Sequence, residues 1–135
     1  PRLLVALRIL AMLNNASQIG TRVTRRQFLA ELGSGEEAVD RVLVMLRDGL
    51  FIERSERQGW ILTRDIDTAT LYDLYTALRL AMSDEDLSIA GNTGWEARLR
   101  ERLKDLQNAQ KSATDVTLKD VLTAVNSSEG VKAAE

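Results

Sequence analysis

One stretch constrains the fold more than any other: residues 50–80, LFIERSERQGWILTRDIDTATLYDLYTALRL. Leu50, Phe51 and Ile52 make a short β-favouring run, and Trp60, Ile61 and Leu62 make another. Ser55 to Gly59 between them is polar, and Gly59 can supply the positive φ that closes a hairpin. Thr70 and Asp73 then stand at capping-box spacing. Leu71, Leu74, Tyr75 and Leu78 repeat at i, i+3, i+4 and i+7, one buried helical stripe. Strand, turn, strand and capped helix form the back half of a winged helix.

The preceding residues supply the front half. From Leu3 to Leu13 the chain is apolar on nearly every side of a helix, which predicts a central helix with others packed around it. Asn14, Asn15, Ser17 and Gly20 are expected to mark its end. A second helix is predicted to open at Thr24, with Gln27 completing a capping box and Gly33 ending it; Phe28, Leu29 and Leu32 form its apolar face. Ser34 with Glu37 reads as another such box. It opens a third helix carrying Val39, Val42, Leu43 and Leu46, closed by Gly49. Two helices joined across Gly33–Gly35 give the helix-turn-helix pattern, with the third in the recognition position.

The expected fold class is therefore mainly α with a small β-hairpin: a winged helix-turn-helix plus C-terminal helices. The expected division is a winged-helix domain over 1–82, an acidic connector over 83–94 and a helical extension over 95–125, with a disordered tail over 126–135. In the extension, a helix over Trp95–Gln110 sets Trp95, Leu99, Leu103 and Leu106 on one side, read as a core face, with self-association as the minor reading. Thr117 and Asp120 are expected to cap a last helix carrying Leu118, Val121 and Leu122.

Composition removes several chemistries. With neither cysteine nor histidine in 135 residues, disulfides, the usual zinc sites, thiolate nucleophiles and imidazole catalysis are all excluded. No cofactor is expected. The net charge of −2 provides no global attraction for nucleic acid. Residues 1–82 hold 11 arginines and no lysine against 10 acids, and residues 83–135 hold 7 basic against 10 acidic residues. The most apolar stretch is about half the roughly 20 residues that span a bilayer, and Arg8 interrupts it. The chain opens at Pro1-Arg2, and is expected to be a piece of something longer or a processed product.

Two candidate sites and one acidic cluster follow. Base readout through the third helix would rest on an exposed face of Glu36, Glu37, Asp40, Arg41, Arg47 and Asp48, where acids outnumber arginines; a solvated structural face is the favoured reading. Phosphate contact could come from Arg22, Arg25 and Arg26 with Arg54 and Arg57 of the wing, although Glu53 and Glu56 interleave with the latter pair. Asp65, Asp67 and Asp73 could in principle serve a metal-dependent, RNA-processing reaction, but turn and cap roles explain all three, so no catalytic residue is expected.

The opening PRLLVALRIL, the segment VTRRQFLAELGSGEEAVDRVLVMLRDGLF and above all GWILTRDIDTATLYDLYTAL resemble the C-terminal domain of the YihY/BrkB family of bacterial inner-membrane proteins. Gly59-Trp60, Leu62, Arg64-Asp65, Thr70-Leu71 and Asp73-Leu74-Tyr75 carry the likeness, which covers about the first 80 residues. The resemblance implies a bundle of about six membrane helices elsewhere in the protein and a place for this domain on the cytoplasmic face of the inner membrane. The family has been labelled ribonuclease BN and also a virulence factor; no assembled metal-binding cluster supports the hydrolase name here. The implied job is interaction, with the protein's own membrane domain, a second copy or a cytoplasmic partner. A DNA-binding transcriptional regulator is the rival reading. The layout, including WEARLRERL…VTLKDVL, also resembles the iron–sulfur-binding winged-helix repressors, but those hold their cluster with cysteines, which this chain lacks.

Overall fold

The computed structural model describes residues 1–89, 91 and 93–123. In chain order it contains α1 (Arg2–Gln18), α2 (Arg25–Leu32), α3 (Glu36–Asp48), β1 (Ile52–Arg54), β2 (Trp60–Leu62), α4 (Leu71–Ala77), α5 (Asp84–Ile89) and α6 (Gly94–Ala113). A last helix, α7, begins at 118 and is described to 123. The expected tail over 126–135 lies outside the described residues.

The winged helix forms as its sequence requires. α1 packs against α2, α3 and β2 through Val5, Ala6, Ile9, Leu10, Leu13 and Ala16. It runs further than Asn14 and Asn15 suggested, because Ala16 still has core to cover, and it ends where Gly20 takes φ +70°. The Thr24 hydroxyl accepts from the Gln27 amide while the Gln27 side chain accepts from the Thr24 amide, so the predicted capping box starts α2; Gly33, left-handed at φ +63°, ends it. All four residues predicted for the α3 stripe, Val39, Val42, Leu43 and Leu46, are buried.

The Ser34–Glu37 capping box does not form. α3 begins one residue later than that spacing needs, with Gly35 as its N-cap and no side-chain cap bond. Glu36 and Glu37 instead place two negative charges in the first turn, where the helix dipole favours them.

β1 and β2 pair antiparallel, with Ile52 opposite Leu62 and Arg54 opposite Trp60. A third extended segment, not visible in the sequence pattern, lies on the far side of β2: Val23 and Trp60 exchange two backbone hydrogen bonds of 3.1 and 2.7 Å. Gly59 is required twice over, since its φ is +95° and a side chain there would meet the Val23 carbonyl and the Arg22 stem. At the end of α3 the left-handed residue is Leu50 (φ +63°) rather than Gly49. Gly49 serves a different purpose: a Cβ on it would lie 2.8 Å from the Ala77 Cβ, so its absence lets α3 approach α4.

The C-terminal segment folds back onto the winged helix. The amides of Leu71, Leu118 and Lys119 donate to the carbonyls of Val116, Ala69 and Ile66, and Leu118 and Leu122 join the same core as Phe28, Phe51, Leu74 and Leu78. The acidic stretch 83–94, expected as a connector, contains α5, whose start is closed by reciprocal Ser83–Asp86 bonds. α6 departs most from expectation. Trp95, Leu99 and Leu106, read as a core face, are 65%, 42% and 50% exposed, and only Leu103 of that set is partly covered. The helix is instead held by glutamines: Gln107 donates to the Met82 carbonyl and to Asp84, and the Gln110 side-chain oxygen accepts from the Met82 amide. Those ties turn the contact face of α6 by roughly a quarter turn away from the apolar stripe.

Candidate functional site

The groove between the start of α2 and the wing gathers the basic residues singled out from the sequence. It encloses about 550 Å³ and is lined by Thr24, Arg25, Arg26, Arg54, Gln58 and Trp60, among others. Of the five arginines considered for phosphate contact, Arg25, Arg26 and Arg54 line it; Arg22 and Arg57 do not. Sequence reasoning missed Gln58 and Trp60, which enter through the hairpin: Gln58 takes φ +64° at the turn, and Trp60 is fixed by its two backbone hydrogen bonds to Val23. No short-range signal announced that pairing.

The electrostatics divide these arginines. Arg25 reaches across to α3, where its Nε donates to the Asp40 carboxylate at 2.7 Å and one terminal nitrogen bonds Glu36. The hydrogen bond from Arg25 holds the Asp40 carboxyl below its ordinary range, and the two acids raise the guanidinium pKa further. Arg25 is thus committed to acids of its own chain. Arg54 sits over the Trp60 ring, 5.5 Å from its centroid. Arg26 and Arg57 are exposed and make no ion pair among the described residues.

α3 would be the reading element of a DNA-binding winged helix. Its outer face presents Glu36, Glu37, Asp40 and Asp48, and both of its arginines are paired with its own acids, Arg41 with Glu37 at 3.1 Å and Arg47 with Asp48 at 3.5 Å. No cation on this face remains uncompensated among the described residues.

The acids after the wing have local partners. The Asp65 side chain accepts from the Asp67 amide in a turn, and Asp67 lies 3.8 Å from Lys119. Asp73 caps α4 by accepting from the Thr70 amide and pairs with Arg64 at 3.1 Å; Arg64 also covers the Phe51 ring. Among the described residues no group of three or more acidic side chains converges as a metal cradle would require, and no helix is long and apolar enough to cross a membrane.

Helix-turn-helix, two-stranded wing and capped closing helix define a winged-helix domain. Its solved structural neighbours agree on the fold. They include a protein provisionally assigned as DNA binding (TM-score 0.66, 20% identity, 90% of this chain and 99% of that one). IscR of T. potens follows (TM-score 0.57, 15% identity, 90% and 80%), as does CymR, the global cysteine regulator of B. subtilis (TM-score 0.52, 15% identity, 90% and 90%). No family model matches the chain.

The chain is homologous over most of its length to curated members of the YihY/BrkB family, named UPF0761 membrane proteins. The Halorhodospira halophila protein is 33% identical over 121 residues, 89% of this chain and 27% of the relative. The Teredinibacter turnerae protein is 27% identical over 131 residues, 94% and 30%. The Rhodospirillum centenum protein is 26% identical over 121 residues. The likeness thus runs well past the first 80 residues and includes the C-terminal helices. The chain spans less than a third of the length of these relatives.

Proposed function

We propose that this winged helix is a protein-interaction domain of a UPF0761-type inner-membrane protein, held on the cytoplasmic face, and that it engages protein rather than reading DNA. One observation carries this: the position of the reading helix is filled by α3, whose outer face is acidic and whose arginines, with Arg25 of α2, are engaged by the chain's own carboxylates. A helix of that charge entering a groove walled by phosphates meets repulsion at several points. The domain is also proposed to be non-catalytic, because turn, cap and ion-pair roles account for Asp65, Asp67 and Asp73.

The regulator reading keeps one specific support, the groove that brings Arg26 and Arg54 together beside the start of α2. Fluorescence anisotropy of a labelled duplex, titrated with the domain between low and moderate salt, decides between the two. The interaction reading expects no saturable binding at about 0.15 M salt and no dependence on Arg26 or Arg54. Submicromolar binding that falls steeply with salt, and that Arg26→Ala with Arg54→Ala abolishes, would establish the regulator instead.

A further inference from the structure

We propose that the exposed face of α6 binds a second copy of this chain in antiparallel register. The inference deepens the protein-interaction reading and rests on it. Trp95, Leu99 and Leu106 recur at spacings of four and seven, so they lie along one side of the 20-residue α6 helix, with Arg102 and Ala109 between and beyond them. All three apolar side chains are exposed, and Trp95 is the most open of them. The opposite problem, anchoring α6 to its own domain, is already solved by Gln107 and Gln110. The stripe is therefore not needed to hold the helix in place.

The charges on α6 indicate the occupant. Arg98 and Asp105 flank the outer edge of the stripe, one near each end, and neither makes an ion pair among the described residues. Let a second α6 run antiparallel across the first, with the twofold axis near residue 101. Trp95 then packs on the partner's Leu106 and Leu106 on the partner's Trp95. The same axis brings Arg98 to the partner's Asp105 and Asp105 to the partner's Arg98. One rotation thus matches both the apolar and the charged pairs, which is the self-complementarity that an isologous interface requires. The Arg102 stem crosses the partner's Leu99 while its head stays in water. A parallel copy would put the two Arg98 side chains on opposite sides of the interface and bring neither to an Asp105. The apolar patch is small, so the interface falls in the class below roughly 1,200 Å² in total, where association is transient.

Sedimentation equilibrium of the whole chain tests this, with circular dichroism to confirm that each variant folds. The wild type is expected to pass from monomer to dimer over the micromolar range. Trp95→Ala with Leu106→Ala should weaken association on the order of tenfold or more. The decisive arm uses charge swaps at exposed positions. Arg98→Asp and Asp105→Arg should each be monomeric alone, because like charges then face each other, and an equimolar mixture of the two should form a heterodimer. A wild type that stays monomeric up to about 1 mM, or single swaps that dimerise as well as the wild type, would overturn the proposal. A dimer that survives the swaps but not loss of Trp95 would refute the antiparallel register. None of these results bears on the DNA titration, so the interaction reading and this interface can fail separately.

Discussion

Replacing Gly49 with alanine tests how closely α3 and α4 are packed. Gly49 has φ −81° and ψ 4°, a conformation alanine adopts freely. Judged by the backbone alone, the substitution should stabilise the protein by about 0.4–1 kcal/mol, through the lower entropy of the unfolded chain. Packing opposes this. The new methyl would sit 2.8 Å from the Ala77 Cβ, with the Met45 carbonyl at 3.3 Å and a Phe51 ring carbon at 3.4 Å. Carbon atoms prefer about 3.5–4.0 Å. A Cβ cannot rotate away from its own helix, so α4 itself must shift. Overpacking of this kind costs about 1–3 kcal/mol. The steric term exceeds the entropic one, and the net expectation is a loss of roughly 0.5–2 kcal/mol. Urea unfolding of Gly49→Ala, Ala77→Gly and the double variant measures it. Ala77→Gly alone, at the last residue of α4, should cost up to about 1 kcal/mol. The double variant should be more stable than the two losses added together, by about 0.5–1.5 kcal/mol, with rescue incomplete because Met45 and Phe51 still crowd the methyl. Strict additivity, or a Gly49→Ala protein as stable as the wild type, would refute the account of why this position is glycine.

Three further outcomes are expected. Leu50 is left-handed at φ +63° and 76% exposed, so Leu50→Gly relieves strain of about 1–2 kcal/mol, partly offset by the greater entropy of unfolded glycine; a rise in the urea midpoint worth about 0.5–1 kcal/mol checks it. Leu118 is fully buried in the winged-helix core, and Leu118→Ala should cost about 2–5 kcal/mol and lower the thermal midpoint of one cooperative transition rather than releasing a separate segment. Asp40 has a lowered folded-state pKa owing to the hydrogen bond from Arg25, so its contribution is present at neutral pH and is lost as the pH falls through that lowered value. Urea midpoints at about pH 7 and about pH 3 should therefore draw closer together in Asp40→Asn than in the wild type, and an equal gap in both would show that the ion pair is not coupled to folding.

Two findings bear directly on function. The arginines that a winged helix would use on phosphate are unequal: Arg25 is bound by α3, and Arg54 lies over Trp60, whereas Arg26 and Arg57 stay exposed without an ion pair among the described residues. The apolar surface left on α6 meanwhile has the spacing and flanking charge of a self-complementary interface. The engagement of Arg25 by α3 and the apolar face of α6 support the proposed association with protein, while the exposed Arg26 is one of the cations that the DNA titration tests.

The sequence by itself determined whatever depends on neighbours within about one helical turn. The boxes at Thr24–Gln27 and Thr70–Asp73, the αL stop at Gly33, the buried stripe of α3 and the turn at Gly59 are all local, and all form as the spacing demands. Ser34–Glu37 shows the limit of such spacing, because an identical pattern fails when the helix starts one residue later. Only the tertiary structure decided the rest. Arg25 finds its partners 11 and 15 residues away, Val23 pairs with Trp60, and Leu118 enters a core built mostly by the first 80 residues. Periodicity identified the apolar stripe of α6 but not the direction it faces. That orientation is set by the hydrogen bond that Gln107 donates to the Met82 carbonyl and the one that Gln110 accepts from the Met82 amide, contacts 25 and 28 residues away that leave no repeating mark in the chain.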